Sequence, residues 1–406
     1  MSNVLNMSFL NFLYLFVVII TSVRVFSNLN FFSYPLAVLA PVLIIPLGLL
    51  YLMPKLMVLG RPKVNVGIFL FFLILFFLLF IPTLQNIFLD NLFDTSSRSS
   101  HEYIWTISLL ALSWIIAGAI MGCIKNITFF FKCITYIAFL IFTVCIIYAL
   151  NGNFFVDYHF LSSLRSDGIK IHHLSLTEPL MLIFFMVLAS LYNTKLKWIA
   201  ILTILFFMFA LGGRVAFFCY ILAILIYELL SSEIHNYLLK FLFIVIISMY
   251  FFIMLSTNLS DNFEFNKLFL SDGLKGDESF RGRMQFFYDF SEGAISQVVI
   301  GNPNFLIIRH NDLGTYAHNI LSLFQFYGLI PFIVILYCLF FIIKKIYVLK
   351  LHKSNDVLIK FGVLFFIYTF ISVLLGKAVI FSSLWFILGF WLFKLRNSWE
   401  LKDVRK

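Results

Sequence analysis

The sequence predicts an all-α polytopic membrane protein, a single integral membrane domain over residues 1–406. Hydrophobic residues make up 62% and charged residues 12% of the chain, whereas soluble domains carry about 25% charged residues. The mean hydropathy of +1.02 is typical of a chain that lies mostly in hydrocarbon. Apolar segments follow one another closely, and one long polar segment, residues 257–318, interrupts them.

A helix needs about 20 apolar residues to cross a bilayer, and we predict about twelve transmembrane helices. Their expected bounds are 4–22, 31–53, 66–84, 103–123, 127–150, 174–191, 198–211, 215–230, 241–255, 320–343, 358–375 and 378–393. The seventh and eighth are short and meet at Gly212-Gly213-Arg214. This junction predicts either one kinked hairpin or two helices joined by a tight turn.

Short basic segments determine the predicted orientation. Four of them, within residues 55–63, 195–197, 344–353 and 394–406, fall on one side when twelve helices alternate. That side is predicted to be the cytoplasm, with both termini inside. The segments 82–102, 151–173 and 257–318 then lie outside, and the last is a large loop between the ninth and tenth helices.

Arginine is concentrated on the predicted outer side. Of the 29 Lys and Arg residues, 11 lie outside and seven of these are Arg, whereas three Arg residues lie inside. The positive-inside rule explains the basic inner segments and disfavours cations outside. A planar guanidinium grips phosphate or carboxylate through two hydrogen bonds. The outer arginines therefore indicate an anionic, membrane-bound ligand rather than nucleic acid, with ordinary surface ion pairing as the alternative.

Two of these arginines lie beside turn signals. Arg214 follows two glycines, which allow close approach of the backbone, and a charge near hydrocarbon usually faces a cavity or a partner. We predict that Arg214 grips a pyrophosphate, with snorkelling to the interface as the alternative. Arg165 precedes Ser-Asp-Gly, a turn signal, and is predicted to contact substrate.

The long outer loop contains a predicted amphipathic helix over residues 280–295. Its apolar stripe, at helical spacing, consists of Met284, Phe287, Tyr288 and Ile295. Such a helix lies on the membrane surface and presents Arg281 and Arg283 to the headgroup zone. Arg309 follows later in the same loop.

His318 stands at the end of this loop, directly before the tenth helix. His318, Ser322 and Gln325 share one helical face through their i, i+4, i+7 spacing. A helix N-terminus offers N–H groups and a positive dipole end to an anion. Nearby arginines disfavour the protonated imidazole, so we expect His318 to be neutral near pH 7 and able to accept a proton. An interfacial histidine with a fixed tautomer is the alternative.

Three motifs resemble the O-antigen polymerase and O-antigen ligase family. They are Gly-Gly-Arg after a short helix (212–214), Arg-Gly-Arg opening an outer helix (281–283), and His-Asn (318–319) before Phe-Tyr-Gly-Leu-Ile (326–330). The resemblance extends from about residue 150 to residue 393. The family often has Ser-Arg-Gly where this chain has Gly213-Arg214-Val215. It also often has an acid at the position of Phe326, for which Gln325 is a substitute.

This resemblance implies a GT-C-type glycosyltransferase of the bacterial inner membrane with a periplasmic active site. The expected reaction transfers a glycan from undecaprenyl diphosphate to a sugar hydroxyl with inversion, without metal or other cofactor. His318 corresponds to the family's proposed base. The expected diphosphate and glycan contacts are Arg165, Arg214, Arg281, Arg283, Arg309 and Asn319. The expected partners are the lipid-linked oligosaccharide, membrane lipid and a chain-length regulator protein.

Three functions are compatible with this pattern. An O-antigen polymerase, which joins lipid-linked repeat units, is favoured because of the loop carrying Arg165 and the short His-Asn segment. An O-antigen ligase uses the same leaving group but transfers the glycan to lipid A core. A lipid-linked oligosaccharide flippase also suits twelve helices, although a transporter places polar residues near the bilayer midplane, whereas here they gather at one face.

Overall fold

The computed structural model describes most of the predicted helices. The described residues are 14–23, 41–57, 66–88, 94–95, 98–124, 129–150, 155–156, 158, 161, 173–191, 196–231, 278–293, 298–310, 317, 319–377 and 380–395. Their helices are α1 (Tyr14–Val23), α2 (Ile44–Met57), α3 (Val66–Phe88), α4 (Ser100–Cys123), α5 (Phe129–Ala149), α6 (His173–Leu191), α7 (Lys197–Ala210), α8 (Arg214–Ser231), α9 (Glu278–Gly293), α10 (Asn304–His310), α11 (Ser322–Tyr327), α12 (Leu329–Val348), α13 (Val357–Leu375) and α14 (Ser382–Lys394). A short antiparallel pair, β1 (Asp94–Thr95) and β2 (Arg98–Ser99), precedes α4.

The helical, membrane-spanning character of the chain agrees with the prediction. Five of the described helices are long and apolar enough to cross a bilayer: α3, α4, α5, α12 and α13. Five shorter apolar helices accompany them: α1, α6, α7, α8 and α14. The predicted ninth span, residues 241–255, lies outside the described residues, so the total of twelve stays a prediction.

The structure does not contain the predicted tenth span, 320–343, as one helix. Two helices, α11 and α12, take its place. Gly328 separates the two helices with φ +84, outside the right-handed helical region. Pro331 follows in the first turn of α12, where its missing N–H is tolerated. The helix is therefore interrupted at Gly328, where the sequence predicts one continuous helix.

The chain divides into two compact units. The first comprises Met1–Ala37, Asn126–Glu278 and Lys350–Ile371, and the second comprises Val38–Lys125, Ser279–Leu349 and Ser372–Lys406. In the first unit, the side chain of Phe185 on α6 packs against Phe365 and Tyr368 on α13 and Tyr220 on α8. The α7–α8 junction is a turn at residues 211–213, with Gly212 at φ +64. This confirms the two-helix alternative for that stretch.

The second unit is built around the close approach of α4 and α14. A Cβ added to Gly118 of α4 would lie 1.8 Å from the carbonyl oxygen of Phe386. A Cβ added to Gly389 of α14 would lie 1.9 Å from the carbonyl oxygen of Ile115. Small residues permit this backbone contact, which is how transmembrane helices pack without a hydrophobic driving force between them. The same unit holds α9 to α12.

Candidate functional site

The described part of the polar segment folds into a small helical cluster of α9, α10 and α11. Its core consists of buried Phe290, Leu306 and Ala317, with Phe286, Phe305, Leu321 and Phe324 packed against it. The rings of Phe290 and Phe324 meet edge to face with centroids 5.6 Å apart. The predicted amphipathic helix is confirmed as α9, which begins two residues before the expected start and ends at Gly293.

The exposed face of α9 carries most of the predicted apolar stripe. Tyr288 is 57% exposed, and Met284 and Phe287 are also exposed. Ile295 lies outside the described residues. The side of α9 that faces the protein instead holds Phe290 and Asp289, so the helix has apolar residues on both its packed face and its exposed face.

Arg281 and Arg283 lie near the start of α9. Arg281 is exposed and Arg283 is half-buried. Residues two apart on a helix do not point the same way, so the two guanidinium groups leave α9 in different directions. Arg281 lies in the first turn of a 16-residue helix, where the backbone dipole also favours an anion.

A charge network centred on Asp289 ties α9 to α10. Asp289 is only 1% exposed. Its Oδ1 accepts a hydrogen bond from Gln285 Nε2 at 3.0 Å and forms an ion pair with Arg309 Nη2 at 2.9 Å. Its Oδ2 lies 2.7 Å from His310 Nε2. The other guanidinium nitrogen of Arg309 donates to Glu292 Oε2 at 2.8 Å.

This network changes what is expected of Arg309. The hydrogen bond that Arg309 donates to Glu292, with added attraction from Asp289 and Glu292, raises the pKa of Arg309 above its ordinary value, so the guanidinium stays charged. The guanidinium group of Arg309 contacts two carboxylates, Asp289 and Glu292, and these contacts explain an arginine at this position without a ligand. The predicted contact between Arg309 and substrate stays a prediction. Sequence reasoning missed Asp289 and His310; the one available signal was an acid on the otherwise apolar buried face of α9.

Ala317 and Asn319, the residues before and after His318 in the sequence, are both hydrogen-bonded to residues in or directly before α11. The side-chain Oε1 of Gln325 accepts a hydrogen bond from the backbone N–H of Ala317 at 2.9 Å. Asn319 caps the next turn, because its Oδ1 accepts from Leu321 N–H at 2.9 Å and its carbonyl accepts from Ser322 N–H at 3.0 Å. The expectation of free N–H groups here is therefore wrong for Leu321 and Ser322, and α11 is only six residues long.

A buried junction joins this cluster to the membrane-spanning helices of the second unit. Gln85 of α3, which sequence reasoning did not single out, donates through Nε2 to the carbonyls of Ile300, at 2.7 Å, and Phe326, at 2.6 Å. Leu329, the first residue of α12, donates its N–H to the carbonyl of Val298 at 2.9 Å.

Two glycines make the turn at this junction. Gly301 has φ +72 and Gly328 has φ +84, and a Cβ at Gly328 would lie 2.5 Å from the carbonyl oxygen of Val299. Backbone packs directly on backbone here, which only glycine permits.

Several predicted site residues cannot be placed. Arg165 and His318 lie outside the described residues, and Arg214 is described only as the first residue of α8, without its side chain. Arg281, Arg283, Arg309 and Asn319 all belong to the second unit. Within the described ranges, no group of three or more His, Cys, Asp or Glu side chains could hold a metal ion.

The described cluster thus combines an exposed arginine near the start of an amphipathic helix with a charge network centred on a buried aspartate. An exposed guanidinium can bind an anion through two hydrogen bonds. Comparisons with protein families, with curated proteins and with solved structures find no match for this chain.

Proposed function

We propose that this protein is a polyprenyl-diphosphate-dependent glycosyltransferase, an O-antigen polymerase that joins undecaprenyl-diphosphate-linked repeat units at the periplasmic face of the bacterial inner membrane. The observation that carries the proposal is the placement of Arg281. It is exposed at the start of an amphipathic helix, in a cluster that is hydrogen-bonded to the first residue of a candidate membrane span.

The cluster lies at the end of a candidate membrane span, a depth that suits a lipid-linked anion. The hydrogen bond between Val298 and Leu329 puts the turn before α10 at the end of a 20-residue apolar helix. Val299 in that turn is 74% exposed, and Met284, Phe287 and Tyr288 are exposed on α9. Apolar side chains beside arginines are typical of a helix lying in the headgroup zone. A lipid diphosphate lies at the same depth as those headgroups.

In the proposed reaction, a sugar hydroxyl of one lipid-linked unit attacks the anomeric carbon of another. A bond forms between that carbon and the hydroxyl oxygen, and the bond from the carbon to the diphosphate oxygen breaks with its electron pair. Undecaprenyl diphosphate leaves as the anion, and His318 takes the proton of the hydroxyl. Attack opposite the leaving group inverts the anomeric centre, and the diphosphate supplies the driving force.

Arginine suits a diphosphate leaving group, because its fork can donate two hydrogen bonds to one phosphate. Charge develops on the diphosphate as the bond breaks, and fixed cations stabilise that charge. Arg281 and Arg283 are the described candidates. Arg165 and Arg214 are further candidates from the sequence, whereas the fork of Arg309 is held by Asp289 and Glu292. Asn319 is proposed to contact the glycan.

The proposal is tested by assaying purified protein in liposomes with isolated undecaprenyl-diphosphate-linked repeat units. We expect His318→Ala to abolish chain extension and Arg281→Lys with Arg283→Lys to reduce it strongly, because lysine lacks the bidentate fork. Arg396→Lys, on the predicted cytoplasmic side, is the matched control. Full extension by both the histidine and the lysine variants would refute the proposed site.

Gel profiles of a deletion strain separate the polymerase from the other functions. Loss of a polymerase leaves core carrying a single repeat unit, whereas loss of a ligase leaves bare core. Chain extension by the purified protein alone would exclude a role limited to transport.

A further inference from the structure

A polar patch lies where the end of α10 packs against α9. Its two outer groups are the imidazole of His310, with a side chain 25% exposed, and the carboxylate of Glu292, with a side chain 66% exposed. Asp289 and Arg309 connect them. Asp289 Oδ2 lies 2.7 Å from His310 Nε2, and Arg309 Nη1 donates to Glu292 Oε2 at 2.8 Å. Each outer group is therefore held in place by a charged partner.

The contact with Asp289 leaves one ring nitrogen of His310 available. The carboxylate of Asp289 forms an ion pair with Arg309, and an ionised carboxylate has acceptors only. Nε2 of His310 therefore donates to Asp289, and in the neutral imidazole Nδ1 carries a lone pair. Nδ1 has no hydrogen-bond partner among the described residues. The ring of Phe286 meets the imidazole edge to face with centroids 4.9 Å apart, which fixes the imidazole on a second side.

The carboxylate of Glu292 offers a second acceptor. Its Oε2 accepts from Arg309, whereas its Oε1 makes no hydrogen bond within the described part of the chain. Asp289 and Glu292 are three residues apart on α9, so they are neighbours on the helix surface, and one guanidinium contacts both. The patch thus presents two oriented acceptors on adjacent helices, and groups that are already oriented lose less entropy when a ligand binds.

The charge of the patch selects the chemistry of its ligand. Two carboxylates and one guanidinium leave one net negative charge when His310 is neutral, which disfavours a diphosphate or another anion. A metal ion is disfavoured too, because the described residues include no group of three or more His, Cys, Asp or Glu side chains that could hold one. The available groups are acceptors and need donors from the ligand. Sugar hydroxyl groups supply such donors without charge.

We propose that Nδ1 of His310 and Oε1 of Glu292 form a binding site for hydroxyl groups of the repeat-unit glycan. This inference rests on the proposed function, and it names a glycan subsite separate from the arginines proposed to bind the diphosphate. The glycan of a lipid-linked unit begins at the level of the headgroups. The patch belongs to the cluster that is hydrogen-bonded to the first residue of α12, at the end of a candidate membrane span.

Three substitutions and one control test the site. His310→Phe keeps the ring beside Phe286 and removes both nitrogens, whereas His310→Gln keeps a donor for Asp289 and an acceptor for the sugar. Glu292→Met removes the carboxylate from an exposed position. Glu102→Met is the matched control, because Glu102 is an exposed carboxylate on α4, outside the patch.

The probe is the repeat-unit oligosaccharide, released by mild acid from the lipid-linked precursor of the producing strain. Its Kd for purified, monodisperse protein is measured by saturation-transfer NMR at low and at high salt. The Tm of every variant is recorded, and chain extension in liposomes gives kcat and KM for the lipid-linked repeat unit.

We expect His310→Phe and Glu292→Met each to raise Kd about tenfold, roughly the effect of one hydrogen bond to a ligand. KM should rise alike with kcat nearly unchanged, because the hydroxyl groups are bound equally before and during the reaction. His310→Gln should keep most of the affinity, and Glu102→Met should bind like wild type. Glu292→Met should lose affinity at a nearly unchanged Tm, which separates binding from stability.

The outcomes separate this site from the function on which it rests. Unchanged Kd values in both His310→Phe and Glu292→Met, or an equal loss in Glu102→Met, would overturn the site. A loss in His310→Gln as large as that in His310→Phe would remove His310 from it. If His310→Phe does not fold, the Kd of Glu292→Met decides alone.

The binding of the oligosaccharide to wild type provides the remaining outcomes. No measurable binding would overturn the site, as would binding that disappears at high salt, because salt screens charges and not hydroxyl hydrogen bonds. Binding by a protein that does not extend chains would leave the site in place and overturn the polymerase. Chain extension with wild-type KM in both variants would overturn the site and leave the polymerase in place.

Discussion

Substitution of Gly118 by alanine should force apart the two helices at the centre of the second unit. The added methyl group would lie 1.8 Å from the carbonyl oxygen of Phe386, 2.7 Å from its carbonyl carbon and 2.9 Å from the backbone nitrogen of Phe390. Since real Cβ contacts essentially never fall below 3.0 Å, α4 and α14 must separate locally by about 1.2 Å, the difference between 3.0 and 1.8 Å. All three obstructing atoms are backbone, so no side chain can rotate away.

Overpacking of this kind costs about 1–3 kcal/mol and occasionally more, and the backbone obstruction puts Gly118→Ala near the upper end, about 3 kcal/mol. Gly389→Ala should behave alike, because its methyl group would lie 1.9 Å from the carbonyl oxygen of Ile115. The two sites share one helix contact, so the double variant should cost less than the sum of the single variants.

The measurement is the apparent Tm of detergent-solubilised protein, followed by the loss of its monodisperse peak. Gly282→Ala is the matched control, since its methyl group meets no heavy atom within 4 Å. Alanine there should improve the propensity of α9 by about 1 kcal/mol. Equal or higher Tm values for Gly118→Ala and Gly389→Ala than for wild type would refute the close packing of α4 and α14.

Two further substitutions test the polar contacts of the second unit. Gln85→Glu replaces the side-chain NH₂ group, which donates two hydrogen bonds, by an oxygen that faces two backbone carbonyls. The substitution should lower the free energy of unfolding by roughly 3 kcal/mol, and by more than Gln85→Met does. A Tm equal to that of wild type would contradict the hydrogen bonds of Gln85 to Ile300 and Phe326. Asp289→Asn should lower Tm because the buried carboxylate is hydrogen-bonded to Gln285 and His310 and ion-paired with Arg309. Glu292→Gln should leave Tm nearly unchanged because Glu292 is exposed. The same small effect from both would show that the network does not stabilise the cluster.

Much of the helical framework is predictable because the hydropathy of a helix depends only on about 20 consecutive residues. The expected start of α3 at residue 66 and the expected span 174–191 agree with the structure to within a residue. The expected end of α3 at residue 84 was too early, since the helix continues to Phe88. Pro82 and the polar residues after it suggested a loop, but the amide of Gln85 finds its acceptors on distant parts of the chain.

The contacts of the candidate site were predictable only in part. The amphipathic character of α9 follows from the spacing of its apolar residues, which a short window contains. The pairing of Asp289 with Arg309 and His310 joins residues 20 and 21 positions apart on different helices. Periodicity describes one helix at a time, so it cannot show which face meets another helix.

The sequence by itself determined that this chain is a helical membrane protein with one polar segment rich in arginine, because the cost of burying charge in hydrocarbon depends on composition and segment length. Only the tertiary structure decided where the predicted tenth helix breaks, that Asp289 occupies the fork of Arg309, and that Gln325 holds the residue before His318. Those outcomes depend on which backbone and side-chain groups meet across the fold, and a pattern within one segment does not specify those meetings.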